Sequence, residues 1–192
     1  MSDARGDGRP RWRRRATRVA FECPWFRVRV DDVALPGGEA ITYNVVEHAG
    51  WAMVVPLLAA PDGRVVMERV YRWTLDEWVL ECPSGGLDGD APEDAARREL
   101  EEETGYVASA LEHLGRFAAS DGYTNERYDV FLARDVAPGG RVQREPTEQI
   151  EVELHELDAL RRMALAGEIH DGPTALAVLL AAERVAKAGG GS

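Results

Sequence analysis

Between Arg97 and Gly105 the chain reads RRELEEETG, and four of the five positions from 99 to 103 are glutamate: Glu99, Glu101, Glu102 and Glu103. On a helix, like charges three or four residues apart repel by a few tenths of a kcal/mol per pair, so this crowding works against the helix that carries it. Positions three and four apart are helical neighbours, which puts Glu99, Glu102 and Glu103 within one face. Arg98 can pair with one of these carboxylates and cannot balance three. A cluster of hard oxygen ligands on a rigid helix is what a Mg²⁺ or Mn²⁺ ion needs, with waters and substrate phosphates completing its shell. The plainer reading of such a run is a solvated charged face.

The elements around this run are legible. Pro92 tolerates the first helical turn, Glu93 and Asp94 sit where the helix dipole favours anions, and Gly105 can take the left-handed cap, so a helix is predicted over 92–104. Asp90 with Glu93 three residues on has the spacing of a capping box. Before the helix lies a glycine-rich loop, CPSGGLDGDAP. Upstream, FRVRVDDVAL and EAITYNVVEH flank the turn signal PGG and predict a hairpin; WAMVVPLLAA and RVVMERVYR around PDG predict a second. EWVLE is a short strand. Downstream come an apolar stretch around LEHLGRF, the loop AASDGYTNE, a strand RYDVFLARDV, a turn PGG and a strand IEVELHE. Two helices close the chain, LDALRRMALAG and GPTALAVLLAAERVAKA, the second with a buried stripe of Leu176, Leu179, Leu180 and Val185. Strands outnumber helices, so the expected class is α/β in the broad sense, a mixed sheet with helices packed on it.

A chain of 192 residues that is 45% hydrophobic can bury one substantial core. Its formal net charge of -11 argues against a nucleic-acid binder, which needs a basic patch to neutralise phosphates. The basic exception is RGDGRPRWRRRATR, with seven arginines and one acid. The reading is a flexible basic arm over 1–17, one domain over 18–188 and a flexible tail, GGGS, closing at 189–192. Two cysteines, Cys23 and Cys82, without CxxC spacing, and no apolar signal or spanning run, point to reduced thiols in a cytoplasmic protein with no membrane partner. The four histidines are scattered without zinc-ligand spacing.

Arg98, Glu99, Leu100, Glu102, Glu103, Gly105 and Tyr106, behind a glycine-rich loop, match the R-E-U-x-E-E-x-G-U signature, and the chain resembles the Nudix hydrolases. That pattern also asks for a Glu eight positions before the Arg and a Gly six before that Glu. Asp90 stands at the first position and Ser84 at the second, with Gly85 one residue closer, so the loop is one residue shorter than the family norm. CPWFRVRV, VYRWTLDEWVLECPSGGL, SDGYTNERYDVFLARDV and TEQIEVELHEL extend the resemblance, in order and spacing, to the ADP-ribose pyrophosphatase branch.

The resemblance implies a Nudix fold with an N-terminal antiparallel β-hairpin region over 18–48 that reaches a partner subunit in a homodimer. It implies Mg²⁺- or Mn²⁺-dependent hydrolysis of ADP-ribose or another nucleoside diphosphate sugar to a nucleoside monophosphate and a sugar phosphate. Glu99 and Glu103 would be the principal metal ligands, with Glu102 and the Ser84 backbone carbonyl assisting. Glu148, Glu102 and Arg98 form the candidate catalytic set, Glu148 as the residue that activates or orients water. Arg72 would contact phosphate, Glu81 would sit beside the diphosphate and metals, and Trp25 and Tyr43 would sandwich the adenine, within one subunit or with the site assembled across the dimer. Members that prefer ADP-ribose carry an S-P-G loop beyond the signature; this chain reads Ser120, Asp121, Gly122, which leaves ADP-glucose and GDP-mannose open. A Nudix-fold module that binds a nucleotide sugar without turnover is the alternative.

Overall fold

The computed structural model describes residues 8–189. The first seven residues of the expected arm and the last three of GGGS lie outside them. The described residues form two compact units: 8–49 together with 118–126, and 50–117 together with 127–189.

The first unit is a three-stranded antiparallel sheet in the order β1-β2-β3, with β1 at Arg13–Glu22, β2 at Arg27–Ala34 and β3 at Ala40–Glu47. Strands β2 and β3 are the predicted hairpin, in register from Arg27↔Glu47 to Ala34↔Ala40. Its turn is closed by the Leu35 amide donating to the Glu39 carbonyl at 2.8 Å, with Gly38 at φ 91°. Residues 13–17, expected in a flexible arm, are instead the first half of β1. The β-formers Thr17, Val19 and Phe21 and a ladder to β2, interrupted by irregularities between Arg14 and Ala16 and between Val19 and Phe21, give this strand partners for its backbone; its arginines are exposed, with Arg14 reaching to 3.9 Å from the buried Asp31 carboxylate. Every residue of β1 is exposed.

The second unit carries an eight-stranded sheet. Its strands are β4 (Trp51–Leu58), β5 (Arg64–Arg72), β6 (Glu77–Glu81), β7 (Ser84–Gly86), β8 (Tyr106–Val107), β9 (Leu111–Ala118), β10 (Arg127–Pro138) and β11 (Ile150–Glu156). The order is β11-β5-β4-β10-β8, with β6 on β5, β7 on β4 and β9 on β10. Strands β4 and β10 run parallel while β4–β5 and β5–β11 are antiparallel, so the sheet is mixed. Helices α1 (Pro92–Thr104), α2 (Leu157–Ala166) and α3 (Gly172–Gly189) cover it on both sides.

Alternation along β4 shows why. Ala52 and Val54 enter a cluster with Ala95, Ala96 and Leu100 of α1, whereas Met53 and Val55 enter another with Leu160 of α2 and Ala177, Val178 and Ala181 of α3. Successive side chains of a strand face opposite sides, so a continuous apolar run marks a strand buried on both.

The two central strands part company in a way that builds the site. Strand β4 meets β5 at Leu57↔Val65, but its other half pairs with β7, from Met53↔Ser84 to Trp51↔Gly86, while β5 pairs with β6. The Val54 amide donates to the Pro83 carbonyl at 3.0 Å inside this fork. Strand β7 is thereby inserted at the split, and α1 packs on both β4 and β7.

Candidate active site

Helix α1 has the predicted bounds, and Gly105 closes it at φ 75° with its amide donating to Glu101. The predicted capping box is absent: Ala91 is the N-cap, without a side-chain cap bond, and Pro92 opens the helix. Asp90 instead lies 3.5 Å from Arg98 Nε. A charged partner nearly two turns inside the helix outbids the weak capping interaction for that carboxylate.

The buried face of α1 is Ala95, Ala96, Glu99, Leu100, Glu103 and Thr104. Glu99 and Glu103 are each only 7% exposed, so two of the four glutamates lie inside. Glu102 is half-buried at the rim, and Glu101 accepts a bond from the Arg141 amide at 3.2 Å. Burial raises the pKa of Glu99, and Glu102 and Glu148 add to the rise against the opposing pull of Arg98. Glu103 is raised more, first by burial and then by Glu68 and Glu99, although the Ser84 amide donates to its Oε2 at 3.0 Å. These are carboxylates held where their own charge is disfavoured.

Arg98 gathers the rim. Its guanidinium donates to Glu99 Oε1 at 2.7 Å, Glu102 Oε2 at 3.3 Å and the Gly86 carbonyl at 2.8 Å. One planar fork therefore fixes two glutamates against the glycine-rich loop. Gly85 has a reason of its own: a Cβ there would collide with the Glu99 carboxyl group. The shorter loop keeps glycine where the helix carboxylate comes closest.

From the sheet side, Glu81 ends β6 and receives Arg72 in a two-point ion pair, one arm of which is Nε to Oε1 at 2.8 Å. The carboxylate beside it strengthens the hold of Arg72 on its proton. Glu148 lies in the loop before β11, where its Oε2 accepts from the Glu145 amide at 2.7 Å. Its charge is near enough to disfavour ionisation of Glu99, Glu103 and Glu68. Arg144, in the same loop, donates to the Glu103 carbonyl at 2.8 Å and the Ile150 carbonyl at 2.7 Å, tying the loop to the end of α1.

Among the described residues no three carboxylate, histidine or cysteine groups stand close enough to hold a metal ion as they are. Glu99 leans to Arg98 and Glu103 to Ser84. The donor set nevertheless fits a hard divalent cation. Buried oxygens are in surplus, their charge is opposed by burial and by one another, and a cation is the group that reverses that local sign. Glu99, Glu103, Glu102 and the Ser84 carbonyl are the residues that would hold it.

Comparison with known proteins agrees with this geometry. Residues 48–176 match the NUDIX domain model, about two thirds of the chain. The chain belongs to the Nudix family. Residues 12–46 match a second model, the nucleoside diphosphate sugar hydrolase N-terminal domain, so β1 to β3 are part of the recognised architecture. An ADP-ribose pyrophosphatase of Bacillus subtilis (strain 168) is 37% identical over 153 residues, spanning 78% of this chain and 80% of that one. A GDP-mannose pyrophosphatase of Salmonella arizonae is 37% identical over 157 residues, covering 76% and 81%. The crystal structure of an ADP compounds hydrolase superposes with a TM-score of 0.80 at 21% identity, over 93% of this chain and 96% of that one, and shows the same fold.

In this Nudix protein the two aromatic candidates have different neighbours. Trp25 is 73% exposed, in the bend between β1 and β2, where it lines a groove with Cys23, Arg27, Glu47, His48 and Asn125. Tyr43 packs edge-on against Trp12, with centroids 6.0 Å apart, and donates its hydroxyl to the Gly122 carbonyl at 2.5 Å. Tyr43 does not line the groove that holds Trp25. The bond to Gly122 shows that the loop carrying Asp121 is anchored on β3. Sequence reasoning missed Glu68 and Arg144. Glu68 had a signal: in VVMERV a charge interrupts the inward-facing positions Val66 and Val70 of a strand buried on both sides.

Proposed function

We propose that this chain is a Mg²⁺- or Mn²⁺-dependent pyrophosphohydrolase that cleaves the diphosphate of ADP-ribose or a related nucleoside diphosphate sugar. Water attacks one phosphorus, the P–O–P bridge breaks, and a nucleoside monophosphate and a sugar phosphate leave. The observation that carries the reading is the pair Glu99 and Glu103, buried on one helix face against the Ser84 segment of the split sheet. A bound cation would supply Lewis acidity, an acidified water and a counter-charge for the leaving oxygen. Arg98 holds Glu99 and Glu102 in place, and Glu148, whose charge is felt by Glu99 and Glu103, would orient the attacking water or accept its proton. Arg72 keeps donors beyond those spent on Glu81, which suits it to a phosphate oxygen.

The working form is a homodimer in the cytoplasm, built through the N-terminal strands. Supporting this, Val19 and Phe21 on β1 are 52% and 53% exposed on an edge strand, and Trp12 just before it is 55% exposed, an arrangement that a second chain would cover. Trp25 and Tyr43 would then meet the base from two subunits. The relatives act on ADP-ribose and on GDP-mannose by name, and Asp121 in place of the loop proline leaves the sugar nucleotide to experiment.

The test is phosphate release in the presence of a phosphatase from ADP-ribose, ADP-glucose, GDP-mannose, NADH and diadenosine polyphosphates, with Mg²⁺, Mn²⁺ or EDTA. Metal-dependent turnover of a sugar nucleotide above the dinucleotides is expected. Silence of the folded protein across the panel overturns the hydrolase and favours a binding module.

A further inference from the structure

Glu68 is a carboxylate that neither the fold nor the site as described needs. It lies on β5, 2% exposed, directly opposite Glu81 on β6 and Val152 on β11. Its neighbours on the same strand face, Val66 and Val70, are buried apolar side chains. Buried polar atoms in proteins are nearly always hydrogen-bonded. Glu68 Oε1 is buried and has no hydrogen-bond partner among the described residues.

The two arginines near enough to attract it are engaged elsewhere: Arg144 with the Glu103 and Ile150 carbonyls, Arg72 with Glu81. The remaining charges about it, Glu81, Glu148 and Glu103, are all negative. A purely structural glutamate in a core takes an arginine or a backbone amide, since an uncompensated buried charge is strongly unfavourable. An oxygen held dry, without a donor and among carboxylates, is suited to a cation.

We propose that Glu68 is a further carboxylate of the cation centre, facing the cation or a water of its shell from the sheet while Glu99 and Glu103 face it from α1. This rests on the reading of Glu99 and Glu103 as ligands. The extra carboxylate would make the site more anionic than three helix glutamates alone and tighten its hold on a divalent ion before any substrate arrives.

The test is Mn²⁺ binding to the full chain without substrate, read from the loss of the free-ion EPR signal, together with Tm in EDTA and in saturating Mn²⁺. Glu68→Gln keeps shape and removes charge. It is expected to weaken Mn²⁺ binding about tenfold or more, to shrink the Mn²⁺-induced rise in Tm, and to leave the EDTA Tm equal to or above that of the parent. Unchanged Mn²⁺ binding with a lowered EDTA Tm makes Glu68 structural and overturns the proposal. Glu103→Gln serves as the reference. If it loses binding while Glu68→Gln does not, only this inference fails; if neither loses binding, the ligand assignment itself fails. Should Glu68→Gln not fold, Glu68→Met is read by the same criteria, and failure of both to fold also overturns the proposal.

Discussion

Two runs of like charge meet opposite fates in this molecule. Arg13, Arg14, Arg15 and Arg18 lie on β1, exposed at every position, while Glu99 and Glu103 lie on α1 at 7% exposure. Read as composition, both runs are ordinary charged faces. On β1 the charges stay in high dielectric, where they cost little and contribute little. On α1 two carboxylates are withdrawn from water beside others of their own sign, an arrangement that destabilises the empty chain. Charge that is buried against its own interest marks where chemistry is done. The contrast also locates the risk of substitution: neutralising Arg13, Arg15 or Arg18 should be almost silent, Arg14 standing apart because it faces the buried Asp31, and neutralising the second run should not be.

The largest expected effect is at Glu103. Glu103→Gln should lower kcat/KM on the preferred sugar nucleotide on the order of a hundredfold or more while the EDTA Tm holds or rises, because a raised, mutually repelling charge has been removed. Loss of activity together with a lower Tm would put Glu103 in the same class as any core residue and dissolve the contrast. Gly85→Ala comes next. Its new methyl would push the Glu99 carboxyl aside, so turnover should fall about tenfold with a drop in Tm of a few degrees, and a crystal structure should show Glu99 displaced.

The pH dependence follows with its sign. Glu68 is raised from 4.5 to about 8 and Glu103 is also raised, so the folded metal-free chain keeps protons that the unfolded chain releases. Its stability is then fullest at or below pH 4.5, as far as these two groups are concerned, and declines as pH rises toward 8. The EDTA Tm should fall between pH 6 and pH 8 by about 2–4 °C for each kcal/mol lost, and Glu103→Gln should flatten that slope. A flat parent profile would mean that the two carboxylates are better solvated than their burial implies. On the other side of the comparison, the proposed dimer predicts that Val19→Asp with Phe21→Asp converts it into a particle of one 21.1 kDa chain by light scattering. Smallest of all, Arg13→Gln, Arg15→Gln and Arg18→Gln should each shift stability by no more than about 0.5 kcal/mol and leave kcat/KM unaltered.

How much of this was legible beforehand depended on the range of the interaction. Helix α1, its glycine cap, strand β11 and the β2–β3 turn are written in residues within one turn or one hairpin of each other, and they stand where the sequence puts them. The capping box failed because Asp90 had a competitor, Arg98, that spacing alone did not weigh. The fork that inserts β7 beside β4 was invisible, since SGG carries no strand signal and is held by a partner 31 residues away at Met53↔Ser84. Glu68 was visible only as an anomaly, a charge in an apolar alternation, whose meaning required knowing that Glu81 and Glu103 lie near it.

What the sequence determined by itself is the helix, the spacing of its carboxylates and the family to which that spacing belongs, because these depend on periods of 3.6 and 2 and on side-chain type. Which glutamates turn inward, which arginine restrains them and which strand carboxylate joins them was decided only by tertiary structure. Burial, the quantity that converts a surface charge into a reactive one, is a property of packed layers, and no single segment of the chain possesses it.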